Sequence, residues 1–466
     1  MHMAEGTMTQ GAQPASNSTQ QASGSAQQAG RTRLDLKKSL LVGMTLFSMF
    51  FGAGNLILPP LLGAQAGEQA IPAMIGFLVT AIGFPVLGIV AVALVGDLPK
   101  LAGRVNARFA LVFTVLVYLS IGPCLAIPRT SSTSFEMLAP LLPESAPLNV
   151  ASIVFSVAFF AVAYALAMRP GKLTQVLGRI CAPALIILIV IIVASSIVVP
   201  LGEPTPVRAP YDNAAAVQGF LNGYQTMDLL AALNFGIVIA LNIRSFGVER
   251  PGDVAFEISR AGVVAGVLML LIYCGLGFAG VVTAAYMPEA QNGAQLLTAA
   301  ATGHFGLAGT IIIAAIFFIA CLNVCTGLIS CCSTYFAETF PKLPYAVWAA
   351  IFAVFSCVVS NFGLTAILTF SVPLLNALYP AAIVLVIMGM LHRACDRVPY
   401  VWKWVVGVVA VESVIVSVRD AFFAGAWLPF DMLPLADIGL SWLAPALVAA
   451  VVGVVHSLIA RKGSKN

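Results

Sequence analysis

Apolar residues fall in long runs, at roughly 39–62, 70–96, 107–127, 148–168, 176–200 and 217–243. Six more follow at roughly 260–287, 306–336, 343–361, 365–391, 400–418 and 439–460. A helix needs about 20 apolar residues to cross the hydrocarbon of a bilayer. The pattern therefore predicts an all-α membrane protein of about twelve transmembrane helices. Several runs exceed the minimum and are expected to tilt or protrude. Glu412 interrupts the eleventh, and the stretch from there to about 438 has room for a short extra helix.

Composition places the chain in lipid. Hydrophobic residues make up 60% and charged residues only 9%, whereas a soluble domain carries about a quarter charged residues. The net charge of +4 is too small to suggest nucleic acid as a partner, and its distribution is more informative. With the N-terminus in the cytoplasm, the cytoplasmic segments collect all of the 23 Lys and Arg except Arg129, Arg208 and Arg419. That is the positive-inside pattern, which predicts a multi-pass protein of a bacterial cytoplasmic (inner) membrane with both termini cytoplasmic. Residues 1–35 read as an N-terminal cytoplasmic tail. Its first part is rich in Gln, Ser, Gly and Ala and is expected to be disordered. No basic region precedes an apolar core there, so it is not read as a signal peptide. Residues 461–466 form the C-terminal tail. The nine cysteines have neither zinc-site nor disulfide spacing, and Cys331 and Cys332 read as small packing residues.

Polar groups inside the runs point to cargo. The first run reads Phe51-Gly52-Ala53-Gly54-Asn55 at mid-span. Glycine costs about 1 kcal/mol in a helix interior, and Asn is a poor helix former. This predicts a broken helix, with amides free for a carboxylate and carbonyls free for a cation. The competing reading is a small-residue packing face, which does not call for Asn. The sixth run contains Gly223-Tyr224-Gln225-Thr226-Met227-Asp228 and, deeper, Asn234-Phe235-Gly236. Asp228 reads either as an intramembrane acid on a substrate or ion path or as a residue at headgroup level. Asn234-Phe235-Gly236 fits an unwound stretch.

On the eighth run, Asn323, Thr326, Ser330 and Ser333 lie along one helical stripe. Their oxygens suit a small cation, or bond the carbonyls of their own helix. The tenth run contains Pro373 and Pro380, a bend that Asn376 and Tyr379 turn into a candidate gate. Arg129 is expected at the outer end of the third span, where it snorkels or serves a gate or substrate.

The stretches FGAGNLILPPLLGAQAGE (51–68), IGPCLAIPRTSSTSFE (121–136), NGYQTMD (222–228), FIACL (318–322) and SVPLLNALYPA (371–381) resemble the bacterial branched-chain amino acid:cation symporters (BrnQ-type). The resemblance covers roughly residues 36–460. It implies coupled uptake of leucine, isoleucine and valine, driven in most members by sodium, with no cofactor beyond that ion. It also implies a LeuT-type fold, with five-helix inverted repeats at 36–200 and 215–392 and two peripheral helices at 393–460. By resemblance, Gly52, Ala53, Gly54 and Asn55 hold the charged ends of the substrate; Tyr224, Asp228 and Asn234 of the sixth span are further candidate substrate-binding residues, and Phe235 with Phe51 is expected to supply an apolar hollow for the side chain. The backbone carbonyls of Ser48 and Phe51, with Asn323, Thr326 and Ser330, correspond to a sodium site. Many relatives carry threonines where this chain has Asn323 and Val324, which alters the ligand set.

Proton coupling through Asp228 is the alternative within transport. A membrane-embedded enzyme or a sensor is the alternative of another class. The enzyme finds no support, since the chain has no Ser/His/Asp grouping, no HExxH and no carboxylate pair within one span.

Overall fold

A computed structural model describes residues 33–143, 145–168, 172–423 and 426–463. Within these, the side chains of Ser48, Ala53 and Phe235, among others, lie outside the described set, as does the expected N-terminal tail up to residue 32. The described residues are helical, without strands. The first span is α1 (Leu36–Phe50) and α2 (Ala53–Ala66), and the second is α3 (Ala70–Leu78) and α4 (Phe84–Val95). The third is α5 (Ala107–Leu119) and α6 (Ala126–Leu138), followed by α7 (Leu148–Ala167) and α8 (Lys172–Val198). The sixth is α9 (Ala215–Asn222) and α10 (Asp228–Ser245). Then come α11 (Pro251–Thr283), α12 (Gly293–Thr339), α13 (Tyr345–Ser360), α14 (Leu364–Met390), α15 (Tyr400–Phe422) and α16 (Leu443–Gly463).

Among the described residues, eight stretches are long and apolar enough to cross a membrane, and the bent α10 makes a ninth. One of them, Gly54–Val95, spans 42 residues and contains α2, α3 and α4. Every expected apolar run carries a helix. Large apolar side chains such as Val263, Val267, Leu271 and Phe278 face outward from α11, as a chain solvated by lipid requires. Glu412 does not interrupt α15, because it is buried and accepts a hydrogen bond from Ser441 at 2.5 Å. The stretch beyond it holds two short 3-10 helices, Pro429–Met432 and Ala436–Ile438.

Close backbone contact holds the interior together. A Cβ on Gly63 would lie 2.0 Å from the Gly277 carbonyl, and one on Gly280 2.0 Å from the Pro60 carbonyl. These glycines let α2 and α11 approach as only small residues allow. The small-residue packing face therefore exists, but it lies about two to three turns beyond Gly52 and Gly54.

Two arginines outside the charge pattern have local partners. Arg208 donates to the Pro288 carbonyl at 3.2 Å. Arg419 donates to Asp420 and Asp431, each at 2.6 Å. The Leu428 backbone N–H and the Arg419 guanidinium hold the Asp431 carboxyl below the usual carboxylate range.

Candidate functional site

The site grows from two interrupted helices. α1 stops at Phe50 and α2 starts at Ala53, with Gly52 extended between them (φ −115°, ψ −177°). The last carbonyls of α1 and the first amides of α2 thus meet without helical partners, one a negative pole and the other positive. In the sixth span, the turn Gly223–Thr226 ends on Met227 in the left-handed region (φ 61°, ψ 10°), and α10 starts at Asp228. This break precedes Asn234-Phe235-Gly236, where α10 is bent by 48° between Asp228–Asn234 and Ile239–Ser245 rather than unwound.

Side chains join the two breaks. Asn55 Nδ2 donates to the Phe50 carbonyl at 2.6 Å, across the first break, and to Asp228 Oδ2 and Oδ1 at 2.9 and 3.1 Å. The Tyr273 hydroxyl on α11 donates to Asp228 Oδ2 at 3.4 Å. The Asp228 backbone N–H donates to Thr226 Oγ1 at 3.3 Å, and that hydroxyl donates to the Gly223 carbonyl at 2.9 Å. Asp228 is only 3% exposed. It is an acid enclosed by the bundle, held by hydrogen bonds from two other helices.

Arg129 requires a correction. The third span does not end there: it deviates at Gly122 (φ −100°, ψ −126°), passes Pro123, and resumes as α6 through Leu138. Arg129 is 1% exposed. Its Nη1 donates to the Gln225 carbonyl at 2.7 Å and its Nη2 reaches Ser371 Oγ at 3.5 Å. The Ser371 hydroxyl in turn bonds Gln225 Oε1. A Cβ on Gly54 would lie 2.9 Å from Arg129 Nη1, so glycine permits the guanidinium to sit against the start of α2.

These elements line a small, partly open cavity of ≈ 80 Å³. Gly52, Gly54, Asn55, Thr226, Asp228 and Arg129 supply its polar wall, and Ile121, Ala231, Val324 and Leu328 part of its apolar wall.

Of the remaining expected residues, those whose side chains are described do not line this cavity. Tyr224 and Tyr379 are fully buried and stacked on each other, ring centroids 4.3 Å apart, without lining it. Asn376 faces a neighbouring cavity beside Glu412 and Ser441. Asn234 is buried, with no partner for either amide atom. On α12 it is Val324 and Leu328 that face the cavity. Thr326 donates its hydroxyl to the Leu322 carbonyl at 2.8 Å. Asn323 and Ser330 are half-buried, and Asn323 Oδ1 has no partner. The Phe51 ring stacks on Phe47 at 4.7 Å. The side chains of Ser48, Ala53 and Phe235 fall outside the described set.

Sequence reasoning missed Tyr273, Gln225 and Ser371. Tyr273 had one signal, a hydroxyl-bearing ring at the centre of an apolar run. Gln225 and Ser371 lie inside quoted motifs, but nothing in their spacing pairs them with Arg129.

Residues 35–460 match the model of a family described as branched-chain amino acid transport protein. The branched-chain amino acid permease BraB of Bacillus subtilis is 36% identical over 91% of this chain and 96% of its own length. The branched-chain amino acid transport system 2 carrier protein of Pseudomonas aeruginosa is 39% identical over 89% and 95%. The permease BrnQ of Escherichia coli is 38% identical over 89% and 94%. Among solved structures, the inward-facing conformation of Mhp1 superposes with a TM-score of 0.61 at 14% identity, covering 90% of this chain and 91% of that one. The chain, helical among its described residues, therefore has the LeuT-type fold.

Proposed function

We propose that this chain, which belongs to the branched-chain amino acid transport protein family and is a transporter rather than an enzyme, imports leucine, isoleucine and valine together with sodium by alternating access. The observation that carries this reading is the cavity between the two helix breaks, lined by both polar and aliphatic residues. An aliphatic amino acid is a zwitterion with an apolar tail, and it needs both kinds of wall. The free amides at the start of α2, around Gly52, Ala53 and Gly54, attract its carboxylate. The Asp228 carboxyl, held by Asn55 and Tyr273, attracts its ammonium. Val324, Leu328, Ile121 and Ala231 receive the side chain. One methylene alters binding by about 1–3 kcal/mol, so the same hollow accepts leucine, isoleucine and valine.

Sodium is assigned to carbonyls at the end of α1, those of Ser48 and Phe51, with oxygens of Asn323, Thr326 and Ser330 on α12. Thr326 gives its proton to the Leu322 carbonyl, which leaves its oxygen lone pairs available to a cation. The segments 36–200 and 215–392 act as the two inverted repeats, with 393–460 peripheral. The distribution of Lys and Arg supports a bacterial inner-membrane location with both termini cytoplasmic. The buried Asp228 favours a second reading, in which a proton on that carboxyl drives uptake.

Uptake into liposomes separates the two readings. An inward sodium gradient at equal pH is expected to concentrate leucine, and a proton gradient in sodium-free buffer is not. Concentration by the proton gradient alone contradicts sodium coupling.

A further inference from the structure

Two groups of opposite charge type, both buried, line one cavity without meeting. Asp228 and Arg129 both face the space between the breaks, yet the ion pairs among the described residues all lie elsewhere. Every side-chain contact Asp228 makes is as an acceptor, from Asn55 and Tyr273. Arg129 has five N–H donors, and its contacts to the Gln225 carbonyl and Ser371 account for only two of them. Its Nε is buried with no partner. A buried guanidinium with donors unmet is costly. Its surroundings add to the imbalance, because Gly54 brings the start of α2, itself a positive pole, against Nη1. Two positive poles converging on one point call for an anion there, and a planar carboxylate matches the fork of a guanidinium.

From this geometry we infer that Arg129 is a substrate ligand and specificity-determining residue that receives the α-carboxylate of the amino acid, across the cavity from Asp228. The assignment rests on the amino-acid reading above and deepens it. The cavity then carries one fixed group for each end of a zwitterion. It discriminates against amines lacking the carboxylate as well as against acids lacking the ammonium. It also gives Arg129 a place in the binding site instead of at a membrane edge. Ser371 and Gln225 become positioning residues, holding the guanidinium at the cavity wall.

The test is the affinity of the purified full chain for leucine and for leucinamide, which keeps the ammonium and shape but replaces the carboxylate by a neutral amide. The unaltered protein is expected to prefer leucine strongly. In Arg129→Gln that preference should fall at least about 10-fold, the loss of a charge-assisted bidentate contact. Arg129→Lys, which keeps the charge without the fork, should fall between the two and serves if the Gln variant does not fold. A merely structural arginine would weaken both ligands equally, so an unchanged leucine-to-leucinamide ratio in a folded variant overturns the assignment. If the unaltered protein binds no branched-chain amino acid at all, the functional reading itself fails, and this assignment falls with it.

Discussion

Gly54→Leu is expected to abolish leucine binding while leaving the protein inserted and monodisperse. The new Cβ would lie 2.9 Å from Arg129 Nη1 and 3.9 and 4.0 Å from the Gln225 and Thr226 carbonyls. The rest of the leucyl group then has only the cavity to occupy. It displaces the guanidinium and covers the first amides of α2. Gly54→Ala adds only the methyl group and should lose less. The fold should survive, because the atom met first is the end of a side chain and the space beyond is open to the ligand. The contrast is Gly280, whose Cβ would meet the Pro60 backbone carbonyl at 2.0 Å; a substitution there damages packing instead of binding. Titration of purified Gly54→Leu with leucine, beside its membrane yield and gel-filtration profile, checks the prediction. Affinity within a few-fold of the unaltered protein would remove the first break from the site.

Asp228→Asn should weaken leucine binding by roughly 10- to 100-fold, the range expected for losing one hydrogen bond to a charged group. The substitution keeps the shape. It also exchanges an acceptor for an amide NH2 facing the Asn55 donor, which already bonds both Asp228 oxygens. The consequence differs between the two coupling readings. A carboxyl that receives the substrate ammonium loses binding itself when replaced. A carboxyl that only carries a driving proton leaves equilibrium binding intact and loses accumulation against a gradient. Calorimetric titration together with liposome uptake of the same variant distinguishes them.

The membrane-spanning pattern was legible in the sequence because crossing a bilayer demands long apolar runs, and a positive-inside bias accompanies them. The first break was legible for a local reason: Gly52 and Gly54 flank a single alanine, and Asn55 follows. The sixth break was only partly legible. Its turning residue is Met227, whose left-handed backbone has no sequence signal, whereas the expected break at Asn234-Phe235-Gly236 coincides with the 48° bend of α10. Arg129 was misplaced because the stretch from 129 to 134 is polar enough to look like a loop. It lies instead inside the bundle on α6, buried throughout. There Thr130 and Ser134 bond carbonyls of their own helix, and Ser132 reaches the Ser360 carbonyl. Hydropathy cannot see that burial, since it scores side chains without their partners. The stripe on α12 shows the same limit. Spacing puts Asn323, Thr326 and Ser330 on one face, but only packing reveals that Val324 and Leu328 are the residues turned to the cavity.

The central claim is that a cation and an aliphatic amino acid bind cooperatively around the two breaks. Coupling of this kind is reciprocal in free energy, so it is visible in binding alone. The direct measurement is the leucine affinity of the purified protein at fixed pH and ionic strength, with sodium exchanged stepwise for choline. Affinity that tightens at least several-fold with sodium, and a sodium affinity that tightens equally with leucine, is the expected result. Leucine affinity that is identical with and without sodium would contradict it.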